Sequence, residues 1–248
     1  MLIILSPSKT QNFSNISLTK ASAPLYIDKA NEIISELKKL SLEEVTSLMS
    51  ISDKLGKDTY KNIHNFQESP ANRFTKQALF SYTGEVFNKI NPRSFSNEEL
   101  AFCQSNIRIL SGIYGFLKPL DQIQPYRLEM ALKLKNNHSM VQYWKQDITN
   151  AINREEKDVI VNLASNEYAS TIQKNHLIAK FISIQFKDAK RDKYKVVGIY
   201  AKQARGEMVH YIVKNNIESL DSIKNFGQNG YKYNVSLSSD SDWIFTRD

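Results

Sequence analysis

Leu2-Ile3-Ile4-Leu5-Ser6-Pro7-Ser8-Lys9-Thr10 opens the chain with four consecutive apolar residues and then turns abruptly polar. So short a continuous apolar run reads as a strand buried on both faces. In an open sheet covered by helices, ligands gather just outside the carboxyl ends of the strands. Two later segments share the pattern. Asn162-Leu163-Ala164-Ser165-Asn166-Glu167-Tyr168 follows the apolar Val159–Val161, and Tyr200-Ala201-Lys202-Gln203-Ala204-Arg205-Gly206 follows Lys195–Ile199. Ser6, Lys9, Thr10, Ser165, Lys202 and Arg205 are therefore candidates for one anion-facing site. The plainer alternative is that Ser165 caps a helix and that Lys202 and Arg205 belong to a solvated face.

Outward from the first strand, residues 6–24 read as a loop. Leu25–Leu40 has helical spacing, with Ile27, Ala30, Ile33, Ile34 and Leu37 on one side. Ser41-Leu42-Glu43-Glu44 and Ser96-Asn97-Glu98-Glu99 are capping boxes that open further helices. Helices are also expected over Ser52–Phe66, Ala71–Phe80, Ser139–Asn153 and Gln203–Asn215. Expected strands are Arg127–Lys135, Val159–Leu163, Phe181–Phe186, Lys195–Tyr200, Tyr231–Val235 and Trp243–Phe245. The fold class is α+β (mixed α/β), as one integrated domain over 1–248. Its N-terminal half is helix-rich and its C-terminal half β-rich, and residues 25–106 could form a helical subdomain.

Composition narrows the function classes. Of 248 residues, 33 are Lys or Arg and 26 Asp or Glu, a net charge of +7 that favours polyanionic partners. Part of that excess reflects a general richness in Lys, so position matters more than the sum. The one cysteine, Cys103, excludes an internal disulfide and suits a reducing compartment. No apolar run nears the ~20 residues of a membrane span, and Leu2–Leu5 is too short for a signal peptide. The expected location is the cytoplasm, with no membrane partner.

Several chemistries find no motif. Ser6–Thr10 lacks the glycines of a P-loop, and no G-x-S-x-G or G-x-G-x-x-G is present. The four histidines have no metal-ligand spacing, so neither a metal nor a cofactor is expected. Cys103 reads as a packed residue. Gln124-Pro125-Tyr126-Arg127-Leu128-Glu129-Met130 sets Arg127 and Glu129 on one face if it is a strand. Gly112-Ile113-Tyr114-Gly115, ahead of Lys118, reads as a hairpin whose glycines could let the backbone approach a phosphate.

Taken in order, SPSKT, LMSISDKLG (48–56), LSGIYGFLKPLDQIQPYRLEMA (110–131), NLASNEY (162–168) and YAKQARGEM (200–208) resemble the bacterial YaaA proteins of the peroxide stress response. The likeness runs from the first strand to the last, with small departures at Ser8, Gly56, Lys118, Gln203 and His210. It implies a cytoplasmic protein that limits hydrogen peroxide damage in association with low free iron and hence less Fenton chemistry. It also implies a basic cleft, a helix–hairpin–helix-like element and DNA binding. DNA, bound without sequence preference, is then the expected partner. Lys9, Lys118, Arg127, Lys202 and Arg205 would meet phosphates, and Gly112 and Gly115 would approach the backbone. The alternative is an enzyme for a small phosphorylated or nucleotide-like anion. Glu129 or Glu167 would then be its general base, and Lys9 or Arg205 would stabilise developing charge. A third reading is a scaffold that lowers iron through a protein partner.

Overall fold

Leu2–Leu5 is a strand, as the apolar run predicts, and all four residues are fully buried. The computed structural model describes residues 1–14, 20–70, 74–134, 139–155 and 157–248. In chain order, β1 (Leu2–Leu5) precedes α1 (Ile27–Lys38), α2 (Leu42–Met49), α3 (Asp53–Asn65), β2 (Lys76–Gln77), α4 (Ala78–Ser81), α5 (Glu85–Ile90) and α6 (Asn97–Asn106). Next come β3 (Ile107–Ser111), β4 (Gly115–Leu117), β5 (Gln122–Ile123) and α7 (Met140–Arg154). The remainder holds β6 (Val159–Asn162), α8 (Asn166–Ala169), β7 (Lys180–Lys190), β8 (Lys193–Lys195), α9 (Gly198–Lys214), α10 (Leu220–Lys224), β9 (Lys232–Tyr233) and β10 (Asp242–Arg247).

The principal sheet has the order β4-β3-β1-β6-β7-β10-β9, with β8 paired to β7. β3, β1, β6, β7 and β10 are mutually parallel, whereas β4, β8 and β9 run antiparallel. Residues of β1 and β3 are buried throughout, as a sheet covered on both faces requires. One helical group joins α1 to α7 through Tyr26, which packs on Trp144 and bonds to the Asp147 carbonyl at 2.8 Å. The other joins α5, α6 and α9. Helices from the N-terminal half thus share one hydrophobic core with the C-terminal strands. Cys103 of α6 lies in that core, and burial pushes its thiol up to about 12.

Both capping boxes are present, with the serine oxygen accepting from the N3 amide and the glutamate closing the reciprocal bond. Ser139 and Gln142 make a third that the sequence reading passed over. Other expectations are corrected. Of the helix expected over Ala71–Phe80, residues 71–73 lie outside the described residues. Lys76 and Gln77 instead pair with Ile123 and Gln122, so only Ala78–Ser81 is helical. Residues 127–134 form no strand, because their backbone groups bond to α8 and α7, and residue 135 lies outside the described residues. β8 stops at Lys195 and α9 begins at Gly198, five residues before the expected start. Val196, Ile199 and Tyr200 are exposed, so their strand-like composition signals no buried strand. The strand expected over Tyr231–Val235 shrinks to Lys232–Tyr233, and a 3₁₀ turn follows.

Gly112 and Gly115 are packing positions. A Cβ at Gly112 would lie 2.3 Å from the Leu128 carbonyl oxygen, and one at Gly115 would lie 2.6 Å from the Trp144 ring. Gly115 also has φ +66°, which disfavours any side chain. Trp144 Nε1 donates to the Gly112 carbonyl at 2.8 Å, so the tight turn, the loop and α7 fit together as one joint.

Asp121 makes a second joint. It is 1% exposed, accepts from Ser22 Oγ at 2.6 Å and from the Lys118 amide at 2.7 Å, and its carbonyl accepts from Ala78 N. Burial raises its carboxyl to about 6, the two hydrogen bonds opposing the shift.

Two measurements check these joints. Gly112→Ala should cost about 1–3 kcal/mol in urea denaturation, since backbone must move to admit the methyl. For Asp121 the folded pKa lies above the unfolded one, so its contribution is full below about pH 4 and lost as pH rises through about 6. The stability difference between wild type and Asp121→Asn should therefore decline across that window, and a flat difference would contradict the assignment.

Candidate functional site

From β1 the chain passes to β3 on one side, while β6 lies on the other side of β1 and leads outward to β7 and β10. Such a reversal opens a crevice at the carboxyl ends of the two central strands. Ser6 follows β1 and Ser165 follows β6, and they meet there. The Ser165 amide donates to Ser6 Oγ at 2.8 Å, and Ser6 Oγ donates to Ser165 Oγ at 3.2 Å. Ser165 occupies the cap position of α8 but makes no side-chain cap bond, so its hydroxyl faces Ser6. At the end of β6, Asn162 Oδ1 accepts from the Ala164 amide at 3.0 Å and fixes the turn.

Over this edge runs the segment 124–131, fastened at Gln124, Tyr126, Met130 and Ala131. The Gln124 amide donates to Tyr114 Oη at 2.9 Å, the Tyr126 amide to Gln11 Oε1 at 3.1 Å, and the Ala131 amide to Glu167 Oε1 at 3.0 Å. Tyr168 Oη bonds to the Met130 backbone. Beneath it the Tyr126 hydroxyl is 2.6 Å from that of Tyr82 and 2.7 Å from that of Ser111 at the end of β3. Burial pushes the hydroxyl of Tyr126 up to about 12 and raises those of Tyr82 and Tyr168 as well, so all three stay protonated donors at neutral pH.

Arg127 and Glu129 do share one side of this segment, though without a strand. Arg127 Nη2 lies 3.5 Å from Glu129 Oε1, and Lys9 Nζ lies 2.6 Å from Glu129 Oε2. One carboxylate therefore serves two cations. Arg127 keeps a buried Nε with no hydrogen-bond partner among the described residues.

Arg205 is a second such group. Its Nε is buried and unpartnered among the described residues, and burial alone lowers its pKa, with no carboxylate opposing the shift. Neighbours on α9 locate it. Gln203 Nε2 donates to Glu85 at 2.7 Å, and a Cβ at Gly206 would lie 2.2 Å from the Val86 carbonyl oxygen. That start of α5 follows directly on residues 81–83, which pair with the 10–12 segment through Asn12 N to Ser81 O and Thr83 N to Thr10 O. Ser8 and Thr10 hydroxyls meet at 3.1 Å just before it.

The structure thus brings together Ser6, Lys9, Arg127, Glu129, Ser165 and Glu167, and sets the Arg205 turn against the same loop. Lys202 is exposed at the start of α9. Gly112 and Gly115 stand apart because they are buried under Leu128 and Trp144, which leaves no open backbone there for a phosphate. Lys118 also stands apart. β4 runs back along β3, so Lys118 follows Leu117, which pairs with Ile109, and sits away from the Ser111 end. Nor is the large cavity among the described residues basic. It encloses about 1020 Å³ between α1, α2 and the start of α7, and Asp28, Glu32, Glu36, Glu44 and Glu68 line it with Lys133.

Sequence reasoning missed the β7–β8 hairpin. Lys190, Arg191, Lys193 and Lys195 are exposed there and make no ion pair among the described residues. Asp188 of the same hairpin is taken by Arg247, whose guanidinium also stacks on Tyr200 and Tyr231. The signal was present as KDAKRDKYK (187–195), a charge run with one aromatic residue. Among the described residues no group of three His, Cys, Asp or Glu side chains could hold a metal ion, and no helix is long and apolar enough to cross a membrane.

Comparison with known proteins gives a consistent result. A model of the family described as peroxide stress protein YaaA matches residues 1–237. A UPF0246 protein of Colwellia psychrerythraea is 40% identical over 254 residues, covering 100% of this chain and 99% of its own length. UPF0246 proteins of Acaryochloris marina and Flavobacterium psychrophilum are each 40% identical, over 251 and 252 residues, with 100% of both chains covered.

The buried hydroxyl cluster supplies a test of how the edge is held. Tyr126→Phe removes the partner shared by Tyr82 and Ser111 and should cost about 1–3 kcal/mol in stability. Urea denaturation reads the loss, and a change within error of zero would show that the cluster does not secure segment 124–131.

Proposed function

Since the chain belongs to the peroxide stress protein YaaA family, we propose that it protects DNA during peroxide stress by binding it without sequence preference. The observation that carries this reading is the β7–β8 hairpin. Four exposed cations, Lys190, Arg191, Lys193 and Lys195, lie within six residues and are free of ion pairs among the described residues. Lys202, exposed at the start of α9, extends the patch. Free cations on a projecting hairpin can neutralise successive phosphates and release counterions, which drives association with no base contact. Tyr194 and Tyr200, 37% and 44% exposed, add ring surface beside these charges. The net charge of +7 steers the duplex to the molecule from a distance.

This places the phosphate contacts on the hairpin in place of the Gly112–Gly115 turn. A lowering of free iron, which the resemblance implies, would in this reading be exercised through a partner.

Fluorescence anisotropy with a labelled DNA duplex tests the proposal. Between about 50 and 200 mM salt the affinity should fall steeply. In a variant with Lys190, Arg191, Lys193 and Lys195 all changed to Gln, the slope of log affinity against log salt should shrink by about 3 to 4, near 0.9 per cation removed. Binding indifferent to salt, or an unchanged slope in the variant, would sink it.

A further inference from the structure

The β1–β6 crevice holds more than a surface for a duplex needs. Phosphate contacts along DNA require only exposed cations. Arg127, on the segment that crosses this crevice, and Arg205, on the α9 turn packed against the start of α5, each keep a buried Nε with no partner among the described residues. Arg127 competes with Lys9 for the single carboxylate of Glu129, and Arg205 faces no carboxylate that shifts its pKa. A buried guanidinium donor left unpaired is costly, because burial removes the water that would otherwise satisfy it. Folding tolerates that cost where a ligand supplies the missing acceptor.

We infer that the crevice is a site for a single phosphate group, gripped by Arg205 and Arg127 and oriented by the Ser6–Ser165 hydroxyl pair. The three terminal oxygens of a phosphate monoester match this donor set. Guanidinium groups grip tetrahedral oxyanions through parallel N–H bonds, and hydroxyls turn to donate to the remaining oxygen. The position agrees, since the crevice lies where the strand order reverses around β1. Loop rigidity agrees too. The segment 124–131 carrying Arg127 is held by Gln11, Tyr82, Ser111, Tyr114 and Glu167, so the backbone that bears the guanidinium is set in place before any ligand arrives. The site draws on none of the four hairpin cations, so the hairpin variant and the arginine variants test the two readings separately.

The phosphate has two sources, a small phosphate ester or a DNA backbone, and the experiment separates them. Isothermal titration calorimetry of the full chain would use inorganic phosphate and then a nucleoside monophosphate, against sodium chloride at matched ionic strength. Saturable binding beyond the chloride control is expected. Arg205→Gln should weaken it roughly 10- to 100-fold, the loss of a charge-assisted hydrogen bond. Arg205→Lys, which keeps the charge and loses the fork, should also bind more weakly than wild type. Circular dichroism melts confirm that each variant is folded. The hairpin variant with its four cations changed to Gln should keep full phosphate affinity.

If a labelled duplex displaces the nucleotide and needs Arg205, the phosphate belongs to DNA. If duplex and nucleotide bind together, it belongs to a small ester. No binding beyond chloride overturns the inference, as does affinity undiminished in both Arg205→Gln and Arg127→Gln.

Discussion

Simultaneous pairing of β1 with two parallel neighbours constrains almost everything else in this molecule. Ile3 lies opposite Ile107 of β3 and Val161 of β6, so the strand has no free edge. Its four side chains are then divided between two covered faces, and every one must be apolar. The pairing also brings the carboxyl ends of β1, β3 and β6 to one side. Leu163 N extends it by donating to the Ile4 carbonyl at 2.9 Å, which carries β6 on into the turn that sets Ser165 beside Ser6. Register in the core and hydroxyl geometry at the edge are thus consequences of one hydrogen-bonding pattern.

A second layer of order comes from the segment 124–131, which has no repeating secondary structure yet is tightly fixed. Regular elements satisfy their backbone groups internally, whereas an irregular segment must borrow partners from its surroundings. This one borrows from residues far apart in sequence: Gln11, Tyr114 and Glu167 accept from its backbone amides, and Tyr82 and Ser111 hold Tyr126. Glu167 is thereby given a structural task that its position in NLASNEY does not reveal. Its oxygen holds the Ala131 amide, which bears on any use of that carboxylate as a base.

The sequence spoke clearly where local physics decides. Capping boxes at Ser41 and Ser96 are satisfied within four residues, and both helices start where those serines indicate. Apolar runs such as Leu2–Leu5, buried throughout, and Val159–Val161, buried from Ile160 on, are strands of the covered sheet. It was opaque where distant partners decide. Lys76 and Gln77 are extended because Gln122 and Ile123 lie alongside, and nothing within residues 71–80 announces that. Val196–Tyr200 has strand composition, yet the chain leaves the sheet there and its apolar residues stay at the surface. For the candidate site, the residue types were legible and the Arg127–Glu129 contact followed from adjacency, whereas Lys9 reaches Glu129 only through the fold. The burial of Gly112 and Gly115 was not legible, because it depends on Leu128 and Trp144 arriving from other elements.

Cys103 carries a further consequence for a member of a peroxide stress family. Hydrogen peroxide oxidises the thiolate form of cysteine, and reaction requires both ionisation and access. This sulfur has neither: it is buried in the core, and with a pKa of about 12 only on the order of one thiol in a hundred thousand is ionised near pH 7. Met49, Met130, Met140 and Met208 are buried as well. Met1 alone of the five methionines is only partly buried, so Cys103 and the other four methionine sulfurs are shielded from an oxidant in solution.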